Sequence, residues 1–116
     1  MPETQRLYHI TSGREAEDAR QRGVYVPAAF DREGFIHCSY VHQVVAVANR
    51  IFRGRTDLVL LEIDPARLNC RVVDENLEGG AELFPHIYGQ LRMDAVIAIR
   101  EFPCDDEGRF STEVRS

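Results

Sequence analysis

Three histidines in this sequence stand beside hydroxyl or aromatic partners at spacings that would present them together. His9-Ile10-Thr11 and His37-Cys38-Ser39 are both His-x-Ser/Thr within short, β-prone stretches. Residues i and i+2 of a strand point to the same side, so each tripeptide presents an imidazole with a hydroxyl. Imidazole gains or loses a proton near neutral pH, and the hydroxyl adds a second hydrogen bond. That pairing suits phosphate or ribose. It equally suits histidines that end strands while the hydroxyls bond the backbone. His86 lies in Phe84-Pro85-His86-Ile87-Tyr88-Gly89, where Pro85 and Gly89 restrict the backbone. Tyr88 shares its face and offers a ring on which a base or nicotinamide could stack. His42 is expected on an exposed first turn of a helix.

Other chemistries fit less well. Zinc sites favour close-set pairs such as His-x-x-x-His, which this sequence lacks, so no metal is expected. Cys38 follows His37 directly and points to the opposite face of a strand, which makes it a core thiol rather than a nucleophile. The three cysteines, Cys38, Cys70 and Cys104, form no Cys-x-x-Cys, and an odd, scattered set fits a reducing compartment. Glu33, Glu62, Asp64, Asp74 and Glu75 read as solvated turns and strand ends, and none is assigned as a catalytic carboxylate.

The elements that must position these residues follow from pattern. Leu7 to Thr11 alternates and reads as a strand. Ser12 and Glu15 then form a capping box for a helix through Ala16, Ala19 and Arg20 that stops at Gly23. Val24-Tyr25-Val26-Pro27 is extended, Phe30 to Gly34 a turn, and Phe35 to Ser39 a second strand. Val44, Val45, Val47, Ala48, Ile51 and Phe52 recur at helical spacing, giving a helix from Val41 to near Gly54. The nearly continuous apolar run Leu58 to Asp64 predicts a strand buried on both faces, ended by Pro65 with one short turn after it. Cys70 to Asp74 is a further strand, Glu75 to Glu82 an exposed loop and Leu83 to Gly89 a structured loop. Ala95 to Ile99 is the last core strand, and residues 103–116 form a polar tail expected to fray.

At 116 residues the chain reads as one domain, with a core over about 6–102 and a mostly antiparallel α+β architecture. The 14 basic residues are all Arg against 19 acidic ones, a net charge of −5. The absence of Lys excludes Schiff-base and lysine-held pyridoxal chemistry and a P-loop. The acidic balance argues against nonspecific nucleic-acid binding. No run approaches the ~20 apolar residues of a membrane span, and the first residues lack a secretory pattern, so no membrane partner and a cytoplasmic location are expected.

In order, Leu7-Tyr8-His9-Ile10-Thr11, Gly34-Phe35-Ile36-His37-Cys38-Ser39, Val47-Ala48-Asn49-Arg50-Ile51-Phe52, Leu58 to Asp64, and Phe84 to Gly89 resemble the uncharacterised bacterial and plant domain-of-unknown-function family 952, across roughly residues 6–102. The resemblance implies an ADP-ribosyltransferase-like α+β fold, a mostly antiparallel split sheet with two main helices and a cleft for NAD. On that implication His9 holds ribose or pyrophosphate, His37 faces the nicotinamide with Ser39 on its amide, and His86 or Tyr88 closes the site. His9, His37 and His86 are then the catalytic candidates. Thr11, Ser12, Ser39 and Tyr88 are the cofactor-binding ones. The glutamate usual on a late strand of such transferases has no match here; His86 and Tyr88 occupy that part of the chain. The resemblance therefore also admits NAD-dependent phosphate removal, for which Arg14, Arg50 and Arg53 are candidate phosphate ligands. The expected partner is a small-molecule nucleotide, with the acceptor open among protein, nucleic acid, small molecule and water.

Two further classes fit the residues. Paired His-x-Ser/Thr motifs also describe two-histidine phosphoesterases acting on cyclic phosphates, although 28 residues between motifs is short for that architecture. A nucleotide-binding module without turnover needs the same pocket and no general acid or base.

Overall fold

The computed structural model describes residues 5–28, 30–76 and 80–111. Strand β1, Leu7–Ser12, pairs antiparallel with β4, Leu58–Ile63, in a register that sets Leu7 opposite Ile63 and Ser12 opposite Leu58. On its other side β4 pairs antiparallel with β8, Val96–Glu101. This makes a three-stranded sheet with β4 at its centre. The apolar run of β4 is buried on both faces, as its composition predicts. Leu61 and Ile63 pack with Leu7, Ala16, Ala19 and Ile87, while Leu58 and Leu60 pack with Tyr8, Val44 and Ala48.

A helix covers each face. Helix α1, Gly13–Arg22, starts at the expected cap, where Ser12 Oγ accepts from the Glu15 backbone N–H at 3.1 Å. It ends at Gly23, whose positive φ of 84° suits a residue without Cβ. Helix α3, Val41–Ile51, lies on the opposite face through Val44 and Ala48. Gln43 fixes its start by accepting from the Tyr40 N–H at 3.0 Å and donating to the Leu83 carbonyl at 2.9 Å.

A second antiparallel sheet of order β3-β6-β5 is built from β3 (Ile36–His37), β5 (Arg71–Glu75) and β6 (Phe84–Tyr88). A small pair, β2 (Val24–Tyr25) and β7 (Leu91–Arg92), flanks it. The two larger sheets are joined where Tyr8 and Ser39 exchange backbone hydrogen bonds, each 2.8 Å. The fold is thus a small α+β arrangement of antiparallel sheets with few helices.

Several elements differ from their sequence reading. Leu83 to Gly89 is not a loop: Phe84–Tyr88 is the central strand of the second sheet. Pro85 lacks an N–H, yet its carbonyl accepts from Cys38 N at 3.0 Å, so the missing donor faces the side where β3 has already ended. Phe30 to Gly34 is a one-turn helix, α2 (Phe30–Glu33), with Gly34 after it. Only Ile36–His37 of the stretch Phe35 to Ser39 joins the ladder as a strand. The last core strand is an edge strand that extends to Glu101 and leaves Ile97 and Ile99 exposed. Of the expected loop Glu75 to Glu82, Glu75 ends β5, and residues 77–79 lie outside the described residues.

The tail does not fray over 103–111. Phe110 is 4% exposed and stacks on Phe102 with ring centroids 4.7 Å apart. Asn49 of α3 holds it from both sides, accepting from Phe110 N at 2.7 Å and donating to its carbonyl at 3.1 Å. A Cβ on Gly108 would meet Gly54 backbone at 2.9 Å, so this close approach requires glycine. Residues 112–116 lie outside the described residues. Phe110→Ala should cost about 3 kcal/mol and lower Tm by more than about 10 °C in thermal unfolding. An unchanged Tm would show that the tail does not contribute to the core.

Candidate functional site

A cavity of about 290 Å³ opens where β1 meets β3, with one side formed by α3. Its lining includes His9 of β1, His37 of β3, Ser39 and His86 of β6. Three separate strands therefore bring the three expected histidines to one space. Glu33 and Glu75, read from the sequence as solvated, line it as well, and Arg50 of α3 completes the charged set.

His9 meets this cavity with both ring nitrogens already engaged. Its Nδ1–H donates to the His37 backbone carbonyl, and Nε2 lies 2.9 Å from the Tyr25 hydroxyl. Burial holds its pKa below the usual histidine value, which favours the neutral ring. Thr11 does share a side with His9, as strand alternation requires, but it is buried behind the wall. Its hydroxyl donates to Glu15 Oε1 at 2.9 Å and accepts from the Tyr25 hydroxyl at 3.1 Å. Ser12 is occupied in capping α1. Neither Thr11 nor Ser12 is among the cavity-lining residues.

His37 and His86 are direct cross-strand partners, with ring centroids 4.7 Å apart. Phe35 stacks on His86 at 4.3 Å and meets the His37 ring edge-on at 4.8 Å. Glu33 Oε1, four residues earlier in the chain, lies 3.7 Å from His37 Nε2. Cys38 faces the core as expected, where burial pushes its thiol pKa up.

His86 is the most enclosed of the histidines, at 2% exposure. A carboxylate can only accept, so the 2.9 Å contact to Glu75 Oε1 places a proton on His86 Nδ1. In the neutral ring, Nε2 then carries the lone pair, and it has no hydrogen-bond partner among the described residues. The Tyr88 hydroxyl donates to the same Glu75 oxygen, and the Arg71 guanidinium lies 5.3 Å over the Tyr88 ring. The Tyr88 bond first and the His86 bond second hold the Glu75 carboxyl below its ordinary 4.5. The sequence carried one signal for this group. The alternation Phe84-x-His86-x-Tyr88 has strand period, and Pro85 disguised it. Among the described residues, no group of three or more His, Cys, Asp or Glu is placed to hold a metal ion.

The family model for DUF952, described as a protein of unknown function, matches residues 10–99. The chain belongs to this family. A crystal structure of protein CC0527 from Caulobacter crescentus is similar to it at 31% identity and TM-score 0.81, covering 91% of this chain and 93% of that one. A solution NMR structure of CC0527 is similar at 33% identity and TM-score 0.79, covering 91% of each chain. No curated protein matches the chain.

The Glu75 bonds of this DUF952 chain carry a pH signature. A carboxyl whose pKa is lowered by folding adds stability above its unfolded value, and that stability is lost as pH falls through the lowered folded value. In urea unfolding, the wild type should exceed Glu75→Gln near neutral pH, and the gap should narrow as pH falls below the unfolded carboxyl value and on through the lowered folded one. A gap independent of pH would show that the carboxylate does not carry these bonds.

Proposed function

We propose that the cavity binds NAD or an ADP-ribose-like nucleotide, with Glu75, His86 and His37 at the ribose end. The observation that carries this reading is the Glu75–His86 pair, which leaves His86 Nε2 without a hydrogen-bond partner among the described residues, in a cavity that Ser39 and Arg50 also line. Phe35, Phe52 and Phe84 supply apolar lining for a base or nicotinamide. Arg50 supplies the cation for a phosphate. At about 290 Å³ the cavity suits one nucleoside half of a dinucleotide. The two small antiparallel sheets joined at the cavity support an ADP-ribosyltransferase-like fold. Glu75, from a strand end in the second sheet, is the carboxylate that such a transferase uses on the ribose.

The chemistry this arrangement suits is transfer at the ribose C1′. The C1′–N bond breaks, and its electron pair leaves on nicotinamide. The acceptor's lone pair forms the new bond, and its proton passes to His86 Nε2. The Glu75 carboxylate stabilises positive charge as it develops on the ribose. His9, with both nitrogens engaged, shapes the wall rather than gripping the nucleotide. Adjacent His37 and His86, in a cavity that Arg50 also lines, also suit acid–base cleavage of a cyclic phosphate.

Titration with NAD and with ADP-ribose, followed by amide and histidine-ring NMR, should shift His37, Ser39, Arg50, Glu75 and His86 together. His86→Ala and Glu75→Gln should each weaken binding by about tenfold, or ~1.4 kcal/mol. No shift at millimolar nucleotide overturns the reading, and turnover of a 2′,3′-cyclic phosphate in its place would favour the phosphoesterase.

A further inference from the structure

We propose that Tyr25, Thr11 and Glu15 form a proton relay that links His9, in the cavity wall, to solvent at the start of α1. Four side chains from three elements make an unbroken chain. His9 Nε2 lies 2.9 Å from the Tyr25 hydroxyl, that hydroxyl 3.1 Å from Thr11 Oγ1, and Thr11 Oγ1 2.9 Å from Glu15 Oε1. The chain begins at the cavity and ends at an exposed carboxylate. Tyr25 and Thr11 are each 4% exposed, so the middle of the chain is shielded from water and its protons have only these partners.

Donor counting gives the chain a direction. The His37 carbonyl can only accept, so His9 Nδ1 always carries a proton, and only Nε2 gains or loses one. When Nε2 is protonated, it donates to Tyr25, Tyr25 to Thr11, and Thr11 to Glu15. One concerted shift moves a proton across each bond. The Nε2–H bond breaks as a Tyr25 O–H forms. The original Tyr25 proton passes to Thr11, and the Thr11 proton to Glu15. Each hydroxyl gains and loses one proton, so the net change is a neutral His9 and a protonated Glu15, which water then deprotonates. The Ser12 hydroxyl, 3.2 Å from Glu15 Oε1, holds the terminal carboxylate in place.

Tyr25, Thr11 and Glu15 are positioning residues that act through His9. The groups facing His9 are Glu15 from α1, Tyr25 from β2, the His37 imidazole from β3 and the Cys38 thiol near Tyr25; Glu33 and Arg50 stand further round the cavity. The relay does not depend on which nucleotide the cavity takes.

The test follows the His9 ring nitrogens by NMR in ¹⁵N-histidine-labelled full-length protein, for wild type, Thr11→Val, Glu15→Gln and the double variant. Without the Thr11 oxygen, the Tyr25 proton turns toward His9 Nε2 and favours the neutral ring. Without the Glu15 charge, the protonated chain loses its terminus. Each single variant should therefore lower the His9 midpoint by about half a pH unit or more, and the double variant should add little to either. Exchange of the Nε2 proton with water, measured well below each protein's own midpoint, should slow several-fold in Thr11→Val. Glu15 is exposed, so Glu15→Gln keeps the test open if Thr11→Val does not fold. A His9 midpoint that moves with Glu15→Gln but not with Thr11→Val would reduce Glu15 to a through-space charge and overturn the relay. So would unchanged exchange, or a His9 that stays neutral to about pH 4.

Discussion

The two backbone hydrogen bonds between Tyr8 and Ser39 hold this molecule's two larger sheets to each other. Neither sheet is large, and each has three strands. Beside this junction, His9 adds a third tie by donating to the His37 carbonyl. The junction lies in the cavity wall, because Tyr8 and Ser39, which form it, and His9, next to Tyr8, all line the cavity. The cavity opens where the two larger sheets meet at this short bridge. A continuous ladder there would have filled it with paired backbone.

The histidines around that space divide into two kinds of site. His9 belongs to a closed network in which both ring nitrogens meet a protein partner, and burial lowers its pKa. His86 belongs to an open one, anchored at Nδ1 by Glu75 and without a partner at Nε2 among the described residues. A closed network gives shape and a route for protons. An open one gives a lone pair to a ligand. Similar residue types thus take different roles because of what their second nitrogen meets.

Much of this was legible in the sequence where local rules decide the outcome. The cap at Ser12 and Glu15, the stop at Gly23 and the doubly buried β4 follow from spacing and turn chemistry, whereas the meeting of three histidines at one site was implied by the family resemblance alone. What was hidden depended on distant partners. Pro85 argues locally against a central strand, and only the shortness of β3 makes it acceptable there. Glu75 looked like the first residue of an acidic loop, and its role appears only once β5 and β6 are in register. Phe110 sits in a polar stretch, and nothing near it in sequence reveals that Asn49 receives it. Thr11 and Ser12 were grouped with the ligand-binding hydroxyls by type, whereas their neighbours on α1 and β2 had already engaged them.

The docking of Phe110 on α3 reaches further than core packing. Asn49, which clasps it, precedes Arg50 and Ile51, both in the cavity wall, and the clasp spans 61 residues of chain. The cavity's mouth is therefore braced by the last described segment, like a door frame fixed by a distant strut. Lifting that segment would loosen the wall that bears Arg50 without touching the histidines.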